Sequence, residues 1–183
     1  MERRVVDRKV DVETREDRTK TVTGYAAVYY REGESGTEYR LWGDTYERIA
    51  PGAFDVALRE DDVRALFNHD PNVVLGRNGA GTLRLSSDAT GLRYEIDMPD
   101  TQAAQDVALS ISRGDISGSS FAFQVQDESW TRDGSREIRE LRTLRRLKNS
   151  RRPAGAREAR KKRPSQAENA TQAASVDNQR RLA

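Results

Sequence analysis

Apolar and polar residues alternate with a period of two through most of the first 147 residues of this chain. Such alternation is typical of strands that bury one face and expose the other, so it favours a fold rich in β-sheet. It predicts a strand pair joined by the polar REDR, then a strand that ends at a polar turn, then a hairpin. The corresponding segments are VVDRKVDVET with TKTVTGYAAVYY, then DVRALFNHD, then TLRLSSDATGLRYEIDM. We expect Gly24 to mark a β-bulge or a point where another part of the chain approaches closely. We expect Gly91 to adopt a positive φ in the hairpin loop.

Two segments depart from this alternation and carry the spacing of short amphipathic helices. In YERIAPGAFDVALRE, Pro51 is predicted to start a helix. In DTQAAQDVALSISRGD, Asp100 or Thr101 is the predicted N-cap and Gly114 the C-terminal stop. The apolar face predicted for this second helix consists of Ala103, Ala104, Val107, Ala108 and Ile111. Strands with one or two inserted helices indicate a β-rich α+β domain, either a small barrel or a sandwich.

The charges divide the chain into an acidic body and a basic tail. Residues 1–140 contain 19 Lys and Arg against 27 Asp and Glu, a net charge of −8, whereas residues 141–183 contain 13 against 3, a net charge of +10. Residues 148–183 hold few aliphatic and no aromatic side chains, so we predict a domain over residues 1–147 and a disordered basic tail over residues 148–183. Such a tail favours nonspecific contact with nucleic acid, and the alternative is a solvated tail with no specific partner.

The cysteine and histidine content limits the chemistry. The absence of cysteine excludes a disulfide framework, a thiolate zinc site and a cysteine nucleophile. One histidine without cysteine cannot form a zinc site, and the carboxylates lack calcium-loop spacing, so we expect no metal and no cofactor. No run approaches the ~18 apolar residues of a membrane span, and the N-terminus has no apolar signal region, so we expect neither membrane contact nor export.

The segment GDISGSSFAFQV has two adjacent serines at the start of a predicted strand. Phe121 and Phe123 share one face of that strand, so Ser120 lies on the other face among small side chains. A serine nucleophile needs such an opening and a nearby base, and His69 is the only side chain whose ordinary pKa lies near neutrality. Two plainer interpretations stay open from these residues alone: Ser119 and Ser120 would suit the start of a strand by bonding the local backbone, and His69 would suit a turn.

Five motifs, in order, resemble the prohead serine proteases of tailed bacteriophages, the HK97-type capsid maturation proteases. The motifs are VTGYAAVYY, ERIAPGAFDVAL, ALFNHDPNVVLGR, TLRLSSDATGLRYEIDMPDT and GDISGSSFAF. In that family the third motif carries the catalytic histidine, and the fifth resembles the nucleophile strand, usually written Gly-Met-Ser-Phe-Gly-Phe. The resemblance covers about residues 20–145. Because the family is similar in fold to the herpesvirus assembly protease, it implies an α+β fold that is mainly an antiparallel β-barrel wrapped by a few helices.

The resemblance also implies roles for individual residues. Ser120 becomes the nucleophile and His69 the general base, while Ser119 takes the family's usual methionine position. The implied enzyme is a serine endopeptidase that cleaves the scaffold protein and the N-terminal portion of the major capsid protein, and also itself. It acts inside the assembling prohead in the host cytoplasm, and self-association is a further expectation.

An acidic residue on the strand after the nucleophile is expected to orient the histidine in this family. Asp70 is adjacent to His69 and therefore badly placed for that role. Glu137 and Glu140 follow the turn at residues 133–134, and either would serve if it approached His69. The alternative is that both are ordinary solvated charges.

The resemblance stops at about Lys148, where the family pattern Leu-x-Glu-Val-Ser is replaced by KNSRRPAGAREARKKRP. The loss of alternation, the charge swing and the Arg, Ala and Pro content lead to the hypothesis that this part is out of frame, or otherwise replaced, relative to a working protease. The alternative is a native basic tail particular to its lineage. A second candidate function follows: a catalytically inactive, truncated or frame-shifted homologue that acts as a capsid-assembly or nucleic-acid-binding component.

Overall fold

Strands form most of the structure. The computed structural model describes residues 1–16 and 19–152, and its elements are numbered along the chain. A first sheet of seven strands contains β1 (Glu2–Val6), β4 (Glu38–Trp42), β5 (Thr45–Ile49), β6 (Arg64–Phe67), β7 (Val74–Arg77), β10 (Gly118–Asp133) and β11 (Arg136–Arg152). A second sheet of four strands contains β2 (Asp11–Thr14), β3 (Lys20–Val28), β8 (Leu83–Ser87) and β9 (Gly91–Asp97). The helices of these described residues are α1 (Asp55–Glu60) and α2 (Gln102–Ser112).

The long β10–β11 hairpin organises the first sheet. Strand β1 pairs antiparallel with β10, which in turn pairs antiparallel with β11. Strand β11 then runs parallel to β5 over residues 137–141 and parallel to β6 over residues 148–151. Register shifts in β10 between Ala122 and Glu128 add twist, and the sheet curls into a half-barrel. The predicted α+β fold, mainly antiparallel strands in a barrel-like arrangement with a few helices, is confirmed.

An aromatic cluster fills the core beneath the two serines. The ring of Tyr29 lies 5.9 Å from that of Phe54, which lies 6.0 Å from the ring of Phe121. Phe121 stacks on Phe123 at 5.0 Å, and all four rings are buried. Since Phe121 and Phe123 belong to β10, the strand of Ser120 is held against the core by its aromatic face.

The N-terminal strand prediction is partly wrong. Strands β2 and β3 form the predicted antiparallel pair, but VVDRKVDVET is two strands and not one. Only its first two residues, Val5 and Val6, belong to β1, which joins the other sheet and pairs with β10. Val6 and Val10, on either side of the break, are both buried, whereas Asp7 and Lys9 between them are exposed, so the chain crosses from one sheet to the other along the surface.

Two predictions at turns are corrected by backbone conformation. The first helix begins at Asp55 and not at Pro51, because Gly52 has a φ of +82°, which no helical residue adopts. The hairpin β8–β9 is confirmed, but Gly91 is not among the residues with positive φ. Gly91 is required for space, since a Cβ there would lie 2.1 Å from the carbonyl oxygen of Ala27.

The second helix matches its prediction closely. Thr101 is the N-cap, and its side chain accepts a hydrogen bond from the Ala104 backbone N–H. Gly114 ends the segment with a φ of +84°. The buried face is Ala104, Val107, Ala108 and Ile111, and the predicted member Ala103 is exposed. Helix spacing places Ala103 just beyond the edge of the apolar stripe.

The predicted boundary at residue 147 falls inside β11, which continues to Arg152. Residues 153–183, most of the predicted basic tail, lie outside the described residues. The division into a domain over residues 1–147 and a disordered tail therefore stays a prediction.

Candidate active site

The structure brings His69 and Ser120 into direct contact. His69 Nε2 lies 2.6 Å from Ser120 Oγ, the distance of a short hydrogen bond. Ser120 is only 1% exposed, whereas His69, at the end of β6, is half-buried. A hydroxyl and an imidazole so arranged are the minimal pair for base-assisted attack on a carbonyl carbon.

A tight turn after β6 positions the His69 side chain. Asn68 and His69 have φ values of +48° and +58°, and the backbone N–H of Asp70 donates to the carbonyl of Phe67 at 2.9 Å. Positive φ at both central residues is the type I′ conformation, and residues 71–73 follow this turn before β7 begins. Asparagine tolerates the left-handed region, but histidine adopts it at a cost of roughly 1–2 kcal/mol. The surrounding hairpin therefore holds His69 in a conformation that it would not favour alone.

Asp70 stabilises this turn locally. Its Oδ1 accepts hydrogen bonds from the backbone N–H and the side-chain amide of Asn72, both at 2.9 Å. This is an Asx turn, which carries the chain from the type I′ turn towards β7. These bonds agree with the prediction that Asp70 is badly placed to orient the imidazole ring.

The last residues of β11 separate the strands that carry the two side chains. Ser150 pairs with Ser120 of β10 on one side and with Leu66 of β6 on the other. With neighbouring strands about 4.8 Å apart, the β6 and β10 backbones are separated by roughly 10 Å at this level. The His69 side chain reaches across this gap from the turn beyond β6.

The two adjacent serines have different environments. The hydroxyl of Ser119 lies 2.7 Å from the phenol oxygen of Tyr94 on β9, in the space between the sheets. Ser119 is 1% exposed and Tyr94 is fully buried. Strand alternation predicts this separation, since Ser119 projects towards the core and Ser120 away from it. Of the two, Ser120 is the serine in contact with His69.

The structure separates the other two candidate carboxylates from the histidine. Glu137 accepts a hydrogen bond from the Thr45 hydroxyl at 3.3 Å, and Glu140 accepts one from Arg142 at 3.2 Å. Glu140 lies ten residues before Ser150 on the same strand, a distance of roughly 33 Å at 3.3 Å per residue. The possibility that either residue approaches His69 is therefore overturned by strand register.

A buried ionic cluster was missed by the sequence analysis. Glu47 of β5 is fully buried and receives two hydrogen bonds from Arg4, at 2.5 and 2.7 Å, and one from Arg139 at 2.9 Å. Glu2 binds both arginines and Glu128 binds Arg139, which completes the group that we call the Glu47 cluster. Burial raises the pKa of Glu47, and the hydrogen bonds and charges of its arginines oppose the rise.

The Glu47 cluster attaches the N-terminal strand to β10, the strand of Ser120. Arg4 lies opposite Phe121 in the β1–β10 ladder, and Val5 lies opposite Ser120. A signal for the cluster exists in the sequence, since Thr45, Glu47 and Ile49 share the buried face of β5. Alternation alone predicts that Glu47 points inward. It does not predict that Arg4 and Arg139 bind Glu47, because they come from strands far apart in the chain.

The described part of the chain contains neither a group of metal ligands nor a membrane-spanning helix. Within residues 1–16 and 19–152, no three His, Cys, Asp or Glu side chains are grouped as metal ligands would be. None of the helices in the same residues is long and apolar enough to cross a membrane.

Comparison with known proteins identifies the family. No curated protein and no solved structure matches the chain. The family model described as caudovirus prohead serine protease matches residues 8–150, which include both His69 and Ser120 and well over half of the chain. The chain belongs to the caudovirus prohead serine protease family.

Proposed function

We propose that this chain is a serine endopeptidase of phage capsid maturation in which Ser120 is the nucleophile and His69 the general base. The observation that carries the proposal is the 2.6 Å contact between His69 Nε2 and Ser120 Oγ in a member of a protease family. The family membership supports capsid proteins as substrates in general. The proposed substrates are the scaffold protein, the N-terminal portion of the major capsid protein and the enzyme itself, cut inside the assembling prohead.

The proposed reaction is acyl transfer in two stages. His69 Nε2 takes the hydroxyl proton as Ser120 Oγ bonds to the carbonyl carbon of the scissile peptide. His69 then returns that proton to the nitrogen, so the C–N bond breaks and the amine product leaves. A water molecule, deprotonated by His69, attacks the resulting ester, and the serine recovers its proton as the carboxylic product departs. These steps need no cofactor.

The decisive experiment is co-expression of this chain with its scaffold and capsid proteins, followed by intact-mass analysis. We expect truncated scaffold and capsid products with the wild type, and none with Ser120→Ala or His69→Ala. The matched control is Ser112→Ala, which removes an exposed helical serine and should leave cleavage unchanged. Cleavage that survives Ser120→Ala would refute the assignment of the nucleophile.

A second candidate is an inactive homologue that contributes to assembly or binds nucleic acid. The observation in its favour is the abrupt change in sequence at Lys148, with a net charge of +10 over residues 141–183. Translation of the two other reading frames beyond codon 147 tests the frame-shift hypothesis, which requires a Glu-Val-Ser-like strand in one of them. DNA binding that weakens with salt, and that disappears when residues 153–183 are removed, would favour the binding function.

A further inference from the structure

The Tyr94–Ser119 hydrogen bond lies on the opposite face of β10 from the proposed nucleophile. Its two oxygens are 2.7 Å apart, and both residues are buried. Tyr94 belongs to β9 in the second sheet, whereas Ser119 belongs to β10 in the first. The bond therefore connects the two sheets one residue away from Ser120.

Gly24 provides the space for this bond. It is the register partner of Tyr94 in the β3–β9 ladder. A Cβ on Gly24 would lie 2.5 Å from the Tyr94 hydroxyl oxygen and 2.8 Å from Cζ of the ring. Contacts this short do not occur, and a phenol ring has no flexible end that can give way. The absence of a side chain at position 24 thus lets the ring lie across β3 and reach β10.

The direction of the bond gives it a distinct role. Ladder hydrogen bonds to Val5 and Val6 on one side, and to residues 150–151 on the other, fix Ser119 and Ser120 within the plane of the first sheet. These bonds resist in-plane movement but leave the separation between the sheets to side-chain packing. The Tyr94–Ser119 bond runs between the sheets and fixes the position of β10 in that remaining direction.

We propose that Tyr94, Ser119 and Gly24 form a positioning unit that holds Ser120 at reacting distance from His69. The inference rests on the proposed function, since it assigns a purpose to the placement of that nucleophile. Misplacement of a reacting group by about 1 Å can cost on the order of 100-fold in rate. Tyr94 and Ser119 are positioning residues and touch neither substrate nor the imidazole in this role.

The test uses a fluorophosphonate, which reports on the nucleophile without any knowledge of the natural substrate. Ser120 Oγ bonds to phosphorus, the P–F bond breaks to release fluoride, and His69 accepts the serine proton. Mass spectrometry of the full chain, with peptide mapping to Ser120, gives the labelling rate at several reagent concentrations. The saturating rate and the half-saturating concentration are then obtained separately.

We expect Tyr94→Phe and Ser119→Ala each to lower the saturating rate about 10-fold to 100-fold. The half-saturating concentration should change by less than about twofold, because the reagent site itself is unaltered. The double variant should be no slower than the slower single variant, since both changes remove the Tyr94–Ser119 bond. Gly24→Ala should reproduce the effect, because it displaces the same hydroxyl.

Tyr29→Phe is the matched control. Tyr29 is 2% exposed, and its hydroxyl bonds the Ser87 hydroxyl at 2.6 Å, so the variant also deletes one buried tyrosine oxygen from a tyrosine–serine pair. Because Ser87 is exposed, Tyr29→Phe should lower the melting temperature no more than Tyr94→Phe does, and it should leave the labelling rate within about twofold. All rates are measured on folded protein well below the transition. Ser119→Ala, which deletes a single oxygen, continues the test if Tyr94→Phe does not fold.

The outcomes separate the two proposals. If the wild type is labelled at Ser120 and both Tyr94→Phe and Ser119→Ala react at the wild-type rate, the positioning role is overturned and the proposed protease function stands. Equal slowing by Tyr29→Phe overturns it too, because the effect would then be general loosening of the core. If the wild type shows no labelling at Ser120 and co-expression gives no cleavage, the protease function itself fails, and the inference fails with it. If cleavage occurs without labelling, the same variants are compared by their cleavage rates, and unchanged rates for Tyr94→Phe and Ser119→Ala overturn the positioning role.

Discussion

Replacing Glu47 by glutamine should destabilise the fold strongly, because it removes the central charge of the Glu47 cluster. The side chain is 0% exposed and binds two arginines that are each 12% exposed. Removal of one partner from a buried ion pair typically costs about 3–5 kcal/mol, since the opposite charge stays buried without compensation. Arg4 and Arg139 both retain Glu2, so we expect Glu47→Gln to lower the free energy of unfolding by about 3 kcal/mol, at the lower end of that range.

A neighbouring strand offers a matched control. Glu38 of β4 also bridges two arginines, Arg48 at 2.7 Å and Arg136, but its side chain is 21% exposed. Ion pairs in contact with water contribute about 0.2–1 kcal/mol, because solvent compensates for the loss of either partner. Glu38→Gln should therefore cost no more than about 1 kcal/mol, although it removes the same number of ion pairs.

Urea unfolding followed by circular dichroism measures both variants under one condition. The slope with urea should be the same for wild type and variants, which would show that only stability has changed. A loss below 1 kcal/mol for Glu47→Gln, or equal losses for Glu47→Gln and Glu38→Gln, would refute the argument that burial makes the Glu47 cluster important. Loss of Ser120 labelling in parallel with unfolding would further indicate that the Glu47 cluster supports β10 only through the stability of the fold.

Three further predictions concern backbone space, the histidine turn and pH. Gly91→Ala should lower the free energy of unfolding by about 1–3 kcal/mol, because its Cβ would meet a backbone oxygen of β3 at 2.1 Å. Gly79→Ala, with no neighbour closer than 3.6 Å, should change the free energy of unfolding by no more than about 0.5 kcal/mol in the same urea assay. Asn68→Val should lower the free energy of unfolding by about 1–2 kcal/mol, since a branched side chain disfavours a φ of +48°, and it should also slow Ser120 labelling. Asn68→Gly should preserve both stability and labelling. Equal behaviour of the two variants would contradict the turn assignment. Two hydrogen bonds from Arg84, at 2.6 and 2.9 Å, hold the pKa of Asp97 below its ordinary value of 3.8. The folded state therefore binds the Asp97 proton less tightly than the unfolded state does. The resulting stabilisation is present above pH 3.8 and is lost as the pH falls through the lowered pKa. Asp97→Asn should therefore flatten the fall in unfolding free energy between pH 5 and pH 2.5, and an unchanged slope would contradict this.

Local patterns predicted the elements whose partners are close in sequence. The β8–β9 hairpin and helix α2 each carry their own signals, alternation around a short loop in one case and the Thr101 cap with Gly114 in the other. The split of the first run into β1 and β2 could not be predicted this way. The alternation is the same in both strands, and the partner of β1 lies more than one hundred residues away on β10. The turn at Pro51 and Gly52 did carry a local signal, because a Pro-Gly pair favours a turn, and the prediction of a helical start at Pro51 overlooked it.

The sequence predicted His69 and Ser120 as a pair, and the structure places their side chains in contact, but the catalytic roles stay a proposal and the supporting contacts were not predicted. His69 and Ser120 were predicted from family motifs. Strand alternation favoured Ser120 over Ser119, because it places the two serines on opposite faces of β10. The roles of Tyr94 and Gly24 depend on a contact between two sheets, which no periodicity encodes. Glu137 and Glu140 were candidates because the sequence places them on the strand that follows the Ser120 strand. It does not show that the register partner of Ser120 is Ser150, which lies ten residues beyond Glu140.

The position of β11 between the strands of His69 and Ser120 has a consequence for the timing of folding. Strands β6 and β10 both pair with residues 148–151, which leave the ribosome after His69 and Ser120 have already emerged. Pairings so distant in sequence form late and slowly, because long loops must close first. A nascent chain thus carries the imidazole and the hydroxyl before it has the strand that sets their spacing. Synthesis in this order delays the contact between His69 and Ser120 until β11 has docked.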